Sequence, residues 1–327
     1  MRKALLCLLL LLLAGGGFVW WRIFAPYQGF SGERFVEIPR GTSTDGVGQL
    51  LAKAGVVRSR TDFLLARLVG HGRVLQAGEY RFTRPASPIE VFDRIARGDV
   101  FYIELVVPEG KNMFDIAELA EQTGLIQARQ FLAAARSPAM IRDLDPQAPS
   151  LEGYLFPNTY RINRQTTAEK LCRTMTGKFR EVWAGLGSKA DVHQTVTLAS
   201  LVEKESKLTQ ERPMVAAVFA NRLRLGMKLD CDPTTIYAAV LDDRYRGTIY
   251  KSDLESRNPY NTYQHTGLPP GPIANPGLES IRAALHPADS DALYFVLRPD
   301  GSGAHQFSNN IADQNAAAAR YRRALHQ

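Results

Sequence analysis

Residues 191–205 read DVHQTVTLASLVEKE. The run has no proline or glycine and predicts a helix from Asp191 to Glu205. At about 100° per residue, Leu198, Leu201 and Val202 share one apolar stripe. Glu205 lies four residues after Leu201 and seven after Leu198, so it falls on that stripe at the helix C-terminal end. Glu203 points away, toward the side of Ala199 and Val196. A carboxyl on a buried stripe loses hydration, and the negative end of the helix dipole adds to the cost of ionising it, so its pKa rises. Such a group holds a proton near neutral pH and donates it to a leaving group, as a glycosidic general acid must. The same periodicity is met by a glutamate that ends a helix in an ion pair with Lys204, Lys207 or Arg212.

Beyond Glu205 the chain breaks at Ser206 to Gln210. A further helix is expected through Val215, Val218 and Phe219 to Leu225, with Gly226 as its stop. Three loop clusters could line a cleft around Glu205: Glu152 to Pro157, Asp232 to Tyr237, and Tyr260 to Tyr263 with Gly267 to Ile273. Tyrosine and asparagine suit sugar binding, because aromatic faces stack on C–H faces and amides bond hydroxyls. Ordinary turn chemistry accounts equally for any single one of these residues.

Toward the N-terminus the pattern is mixed. Phe35 to Ile38, Gly78 to Phe82 and Tyr102 to Val107 read as strands. Helices are expected from Thr44, over Ser59 to Val69 with Phe63, Leu64 and Leu68 on one face, and from Ser87 to Gly98. Ser87-Pro88-Ile89-Glu90 has the capping-box spacing with proline at the first helical position. Farther on, Phe114 to Leu119, Gln127 to Ala135 and Thr167 to Leu186 read as helices, Ser150 to Arg161 as irregular. Loops carry Pro233, Pro259, Pro269 and Pro276. A strand from Leu293 to Leu297 and a closing helix from Ile311 to Leu325 complete the chain.

Ala4 to Trp21 holds no charged residue, and Leu5, Leu6 and Leu8 to Leu13 make it almost pure leucine. Its length reaches the lower limit of a membrane span. Arg2 and Lys3 place that end in the cytoplasm, with Trp20 and Trp21 at the opposite interface. A cleaved signal peptide would need Ala14 to Gly17 as its cleavage region, but apolar character resumes at Phe18, so an uncleaved anchor is expected.

The 327 residues are 45% hydrophobic and 22% charged, which excludes wholesale disorder. Lys and Arg outnumber Asp and Glu by 40 to 33. The excess suits an anionic neighbour, and no run of like charge supports a nucleic-acid tail. Cys172 and Cys231 are expected as two buried thiols, although an exported chain would permit their pairing. Six dispersed histidines without HExxH or CxxC argue against a metal site. Gly46-Val47-Gly48 lacks a third glycine at the dinucleotide spacing, Gly301-Ser302-Gly303 lacks the nucleophile-elbow spacing, and Ser200 and Lys204 are four apart, not three.

Taken together, the blocks resemble the YceG-like family of endolytic murein transglycosylases. The resemblance rests on Leu198 to Glu205, Glu211-Arg212, Asn221-Arg222-Leu223, Gly226 to Thr234, Ile236-Tyr237, Tyr260 to Tyr263, Gly267 to Ile273, Pro276-Gly277, Tyr294 to Val296 and His305 to Phe307. Upstream it takes in Gly78 to Phe82, Pro108-Glu109-Gly110 and Glu152 to Pro157. It implies an α+β chain divided into a cytoplasmic tip and membrane anchor (1–22), a linker (23–34), a LysM-like module (35–107) and a larger, mainly helical catalytic domain (108–327). It implies non-hydrolytic cleavage of the MurNAc–GlcNAc β-1,4 bond of peptidoglycan, leaving 1,6-anhydro ends and terminating strand growth.

The catalytic role falls on Glu205, which Ser206 follows as in other lytic transglycosylases. Glu152, Tyr237, Asn261 and Tyr263 are the candidate substrate contacts. No cofactor and no nucleic acid is expected. The implied partners are glycan strands, the inner membrane and the wall-synthesis machinery, with the catalytic domain in the periplasm. Cys231 departs from the family pattern with no evident catalytic consequence. A lysozyme-like hydrolase, with Glu203, Asp230, Asp232 or Asp253 as second carboxylate, and a non-catalytic peptidoglycan-binding scaffold stay open as alternatives.

Overall fold

The computed structural model describes residues 2–325. It is a mixed helix and sheet structure, about half helical, and divides into two compact units, Met1–Ile103 and Glu104–Gln327.

The first unit opens with α1 (Arg2–Phe24), a helix of 23 residues. At 1.5 Å per residue this is about 35 Å, long and apolar enough to cross a bilayer. Its leucines are exposed, but its last turn is not free. Ile23 is buried in the core of the small module. Arg22 donates two hydrogen bonds to Asp62, at 2.8 and 2.7 Å. The Arg58 guanidinium lies over the rings of Trp21 and Tyr27. Residues 23–34, expected as a linker, are tied down by Tyr27 bridging Ala86 and by the Gly29 N–H donating to Gly55.

The module runs β1 (Arg34–Ile38), α2 (Thr44–Lys53), α3 (Arg60–Val69), β2 (Gly78–Phe82) and α4 (Pro88–Arg97). β1 and β2 pair antiparallel from Arg34 opposite Phe82 to Ile38 opposite Gly78. The helices cover Tyr80, Phe63, Phe92 and Ile95, all fully buried. The Ser87–Glu90 capping box forms in both directions, and Gly98 closes α4 at φ +70°, a conformation that favours glycine. One expectation fails: Leu68 is 77% exposed, because Ala66, rather than Leu68, shares the buried face of α3 with Phe63.

The second unit begins within β3 (Ile103–Val107) and contains α5 (Met113–Gln122), α6 (Ala128–Ala135), β4 (Asn158–Ile162), α7 (Ala168–Gly185), α8 (Val192–Glu205) and α9 (Arg212–Arg224). There follow α10 (Asp232–Leu241), α11 (Lys251–Leu254), α12 (Leu278–Leu285), β5 (Tyr294–Leu297), β6 (His305–Ser308) and α13 (Ile311–Leu325). β4 pairs with β3, so the stretch read as irregular ends in a strand whose partner lies far back in sequence. Asp232 to Tyr237, read as a loop, is the start of α10. Its Pro233 occupies the first turn, where the missing N–H costs nothing. β5 and β6 form a hairpin.

At the centre stands α8. Asp191 caps its start by accepting the Gln194 N–H. Every residue from Thr195 to Val202 is buried, so the helix has no solvent face over this length. α9, α10 and α12 pack around it. Ser200 Oγ on this buried helix donates to the Thr197 carbonyl and accepts the Ile273 N–H at 3.1 Å, while the buried Thr197 hydroxyl has no partner among the described residues.

Candidate active site

Both glutamates near the end of α8 have settled environments, and they differ. Glu203 accepts from Arg212 Nη2 at 2.8 Å and from the Gly277 N–H at 2.9 Å. Both partners of this ion pair are almost wholly buried, with side chains 5% and 7% exposed. Glu109 joins from the other side of Arg212 at 3.5 Å. The blocks Pro108-Glu109-Gly110, Glu211-Arg212 and Pro276-Gly277 therefore converge on Glu203. Lys204 is also occupied, since its Nζ donates to the Gly110 carbonyl.

Glu205 is different. It is partly buried, and no salt bridge reaches it among the described residues. Arg212, one of the three cations the sequence offered it, belongs to Glu203. Burial pushes the Glu205 carboxyl up to about 7, opposed by a hydrogen bond from Cys231 and reinforced by the negative charge of Asp232. The sequence attributed this to an apolar stripe shared with Leu198 and Leu201. Because α8 is buried on every side, the stripe does not distinguish the two glutamates; the Arg212 ion pair does. Ser206 ends the helix in an extended conformation, and its hydroxyl donates to the Leu208 carbonyl.

The other candidate residues fall in two groups. Glu152, Tyr237 and Asn261, read as lining a cleft, are 1%, 3% and 0% exposed. Glu152 accepts from the Met113 N–H, the Tyr237 hydroxyl and Asn275 Nδ2. Asn261 donates to the Asp253, Leu254 and Ser256 carbonyls and accepts from Thr235 and the Tyr263 N–H. These polar atoms tie segments together inside the protein. Tyr263 is partly exposed, and its hydroxyl donates to Asp232 Oδ1 at 2.6 Å. Asp232 and Tyr263 are therefore brought toward Glu205, while Glu152, Tyr237 and Asn261 brace the wall behind.

Asn275 and Cys231 were not anticipated in these roles. Asn275 joins the two halves of the wall: its Oδ1 accepts from the Leu155 N–H and its Nδ2 donates to Glu152 and the Lys111 carbonyl. Its place just before Pro276-Gly277 was the available signal. Gly153 shows why the Glu152 block needs its glycine. At φ +89° a Cβ would stand 2.4 Å from Pro272 Cγ and 2.9 Å from Val196 Cγ1, so only glycine lets this turn press against α8.

Burial raises the Glu152 carboxyl to about 8 against the pull of its three donors. A carboxyl whose folded value lies above its unfolded one contributes stability that is fully present below the unfolded pKa, here 4.5, and is lost as pH rises through about 8. Glu152→Gln keeps acceptors for Asn275 and Met113 and should cost only about 1 kcal/mol at low pH. The difference should shift in favour of the variant from pH 5 to pH 8 in thermal melts, so that the variant becomes the more stable of the two. A gap constant across that range would contradict this assignment.

Comparison with known proteins agrees with the sequence blocks. Residues 36–320 match the YceG-like family. The endolytic murein transglycosylase of Bacillus subtilis is 32% identical over 307 residues, covering 88% of this chain and 84% of that protein. The protein of the same name from Streptococcus pneumoniae is 28% identical over 329 residues, covering 88% of this chain and 58% of that one. A crystal structure of a yceG-like protein from Listeria monocytogenes superposes with a TM-score of 0.56 at 31% identity, covering 87% of this chain and 98% of that one. With nearly the whole second unit and most of the first inside the matched region, the chain belongs to the YceG-like family.

Proposed function

We propose that this protein is a membrane-anchored endolytic peptidoglycan transglycosylase, a lyase, with Glu205 as its single catalytic carboxyl. The observation that carries this reading is the Glu205 environment: a carboxyl at a helix end, raised to about 7 and without a cation, beside a Glu203 neutralised by Arg212. The relatives named as endolytic murein transglycosylases support the same reaction class.

Protonated Glu205 donates its proton to the glycosidic oxygen, and the GlcNAc hydroxyl leaves as the C1–O bond breaks. The carboxylate then takes the proton of the MurNAc C6 hydroxyl as O6 bonds to C1. The 1,6-anhydro ring closes, and Glu205 is protonated again. No water is consumed, and because the nucleophile belongs to the same sugar, no second carboxylate is required. Tyr263 and Asp232 are placed to meet the glycan, with Glu152, Tyr237 and Asn261 holding the wall behind them.

α1 fastens the chain to the inner membrane with Arg2 and Lys3 on the cytoplasmic side, so the small module and the second unit lie in the periplasm. The strand–helix–helix–strand order of the small module supports its reading as LysM-like. Cleavage there shortens nascent glycan strands and ends their elongation near the synthesis machinery.

Asp232 beside Glu205 also suits a hydrolase with a second carboxylate; Asp230 is paired with Arg222, and Asp253 caps the start of α11. Product mass decides between the two. Digested glycan strands should end in muropeptides one water lighter than reducing-end products, and turnover should fall as pH rises through about 7, where Glu205 loses its proton. Reducing ends alone would establish hydrolysis. A protein that releases no muropeptides at any pH would be a scaffold.

A further inference from the structure

One cation of the small module has no anion within the protein. Arg58 follows Val56 and Val57, which are buried in the module's core, and its guanidinium is laid over two rings. Its Cζ stands 4.6 Å from the ring centroid of Trp21 and 4.9 Å from that of Tyr27. Nη1 is buried without a hydrogen-bond partner, and no salt bridge reaches the side chain among the described residues. The carboxylates nearest in sequence are taken: Asp62 by Arg22 and Asp45 by Arg60. An aromatic face attracts a cation but accepts no strong hydrogen bond, so the charge is left without a counter-ion. Arg58 is only partly buried, which leaves one side of it open.

The depth of this cation is fixed by α1. Trp21 belongs to the last turn of that helix, next to Trp20, and both rings are exposed. Exposed tryptophans at the end of a span lie at the level of the lipid headgroups. A guanidinium held against Trp21 lies at that level too. Arg22 shares this depth but is neutralised by Asp62. A second uncompensated cation is close at hand. Tyr27 pairs with Ala86, and Arg84 stands two residues before Ala86. Arg84 is exposed and lines, with Pro26, a groove of about 740 Å³. The acids of that groove are engaged: Glu90 by the Ser87 N–H and hydroxyl, Asp93 by Arg73, and Asp99 by Arg94.

We propose that Arg58, seconded by Arg84, binds the phosphate of an anionic phospholipid headgroup in the leaflet opposite Arg2 and Lys3. The proposal rests on the reading of α1 as a membrane span. A planar guanidinium meets two phosphate oxygens with parallel N–H bonds, and its stacking on Trp21 and Tyr27 holds that fork in place beforehand. An anionic lipid thus supplies the missing counter-ion at the depth where the protein leaves the cation unpaired.

The test is a lipid titration of the full-length protein in neutral detergent, followed by thermal melting. Phosphatidylglycerol should raise the melting temperature in a saturable way, since a ligand of the folded state stabilises it. Phosphatidylcholine, whose choline offsets the phosphate, and inorganic phosphate should not. Arg58→Gln should raise the half-saturating phosphatidylglycerol concentration about tenfold or more, because a charge-assisted pair is lost. Arg84→Gln should raise it about fivefold, as expected of one cation near the surface. The half-saturating concentration is independent of any packing lost on Trp21, and Arg84→Gln, at an exposed position, keeps the test open if Arg58→Gln does not fold. Half-saturation unmoved in folded variants, or an equal response of the unsubstituted protein to both lipids, would overturn the proposal. An equal response to inorganic phosphate would make this a free-anion site and overturn the lipid assignment. Release of the protein from membranes by alkaline carbonate would sink the anchor reading and the proposal together, whereas firm retention without a lipid preference would sink the proposal alone.

Discussion

Glu205→Gln should release no anhydro-muropeptides above background. A positioned general acid contributes about 10²–10⁴-fold, and here one group serves as acid and then base, so a loss of at least about 10³-fold in kcat is expected. The amide keeps the size of the carboxyl and can still accept from Cys231, but it can neither deliver a proton nor remove one. Binding of glycan strands should persist, read by co-sedimentation with insoluble peptidoglycan. The comparison with Glu203→Gln is informative, because Glu203 is two residues away and held by Arg212 and Gly277. Glu203→Gln should weaken the fold while folded molecules keep most of their turnover per site. Loss of turnover in Glu203→Gln alone would reverse the assignment.

Arg212→Met should be the most destabilising of the single substitutions considered. It strands the Glu203 carboxylate at a site where it is 5% exposed and keeps only the Gly277 N–H. Removing one member of a buried ion pair costs about 3–5 kcal/mol, since the remaining charge is neither hydrated nor paired. Urea denaturation should show the loss as a lower midpoint with an unchanged slope. The double substitution Glu203→Gln with Arg212→Met should recover a large part of it, because the buried charge is gone. Strictly additive losses in that cycle would mean that the two side chains do not depend on each other. Because Glu109, Gly277 and the end of α8 all meet at this pair, Arg212→Met should also lower turnover at temperatures where the protein is still folded.

Local signals in the sequence were sufficient for some elements. The Ser87–Glu90 capping box, the alternation of Gly78 to Phe82 and the span of α13 are set within a few residues of themselves, and the structure contains each of them. β4 was not legible in the same way, because its partner β3 is some fifty residues upstream and pairing, not propensity, makes it a strand. Asp232-Pro233 carries the same composition whether it begins a turn or a helix, and burial of Thr234, Thr235 and Tyr237 against the core decides for helix.

At the candidate site, the sequence singles out Glu205 by its place on α8, but the reason it differs from Glu203 is tertiary. Arg212 and Gly277 approach from two other segments, and no periodicity encodes which of two glutamates they choose. The same limit explains Glu152 and Asn261. A polar side chain that bonds sugar and one that bonds the protein's own loops read alike until the partners are known.

The last turn of α1 has a mechanical meaning. Ile23 sits in the module's core, Arg22 grips Asp62 with two bonds, and Arg58 covers Trp21. If α1 crosses the bilayer as proposed, the module is mounted on a post, not trailed on a leash. Its height above the lipid would then be set by the length of a helix, and thermal motion would turn it with the anchor but not carry it outward. On the function proposed above, glycan that meets this module would have to come to within its own thickness of the membrane, which would select material still close to where it is made over wall already laid down farther out.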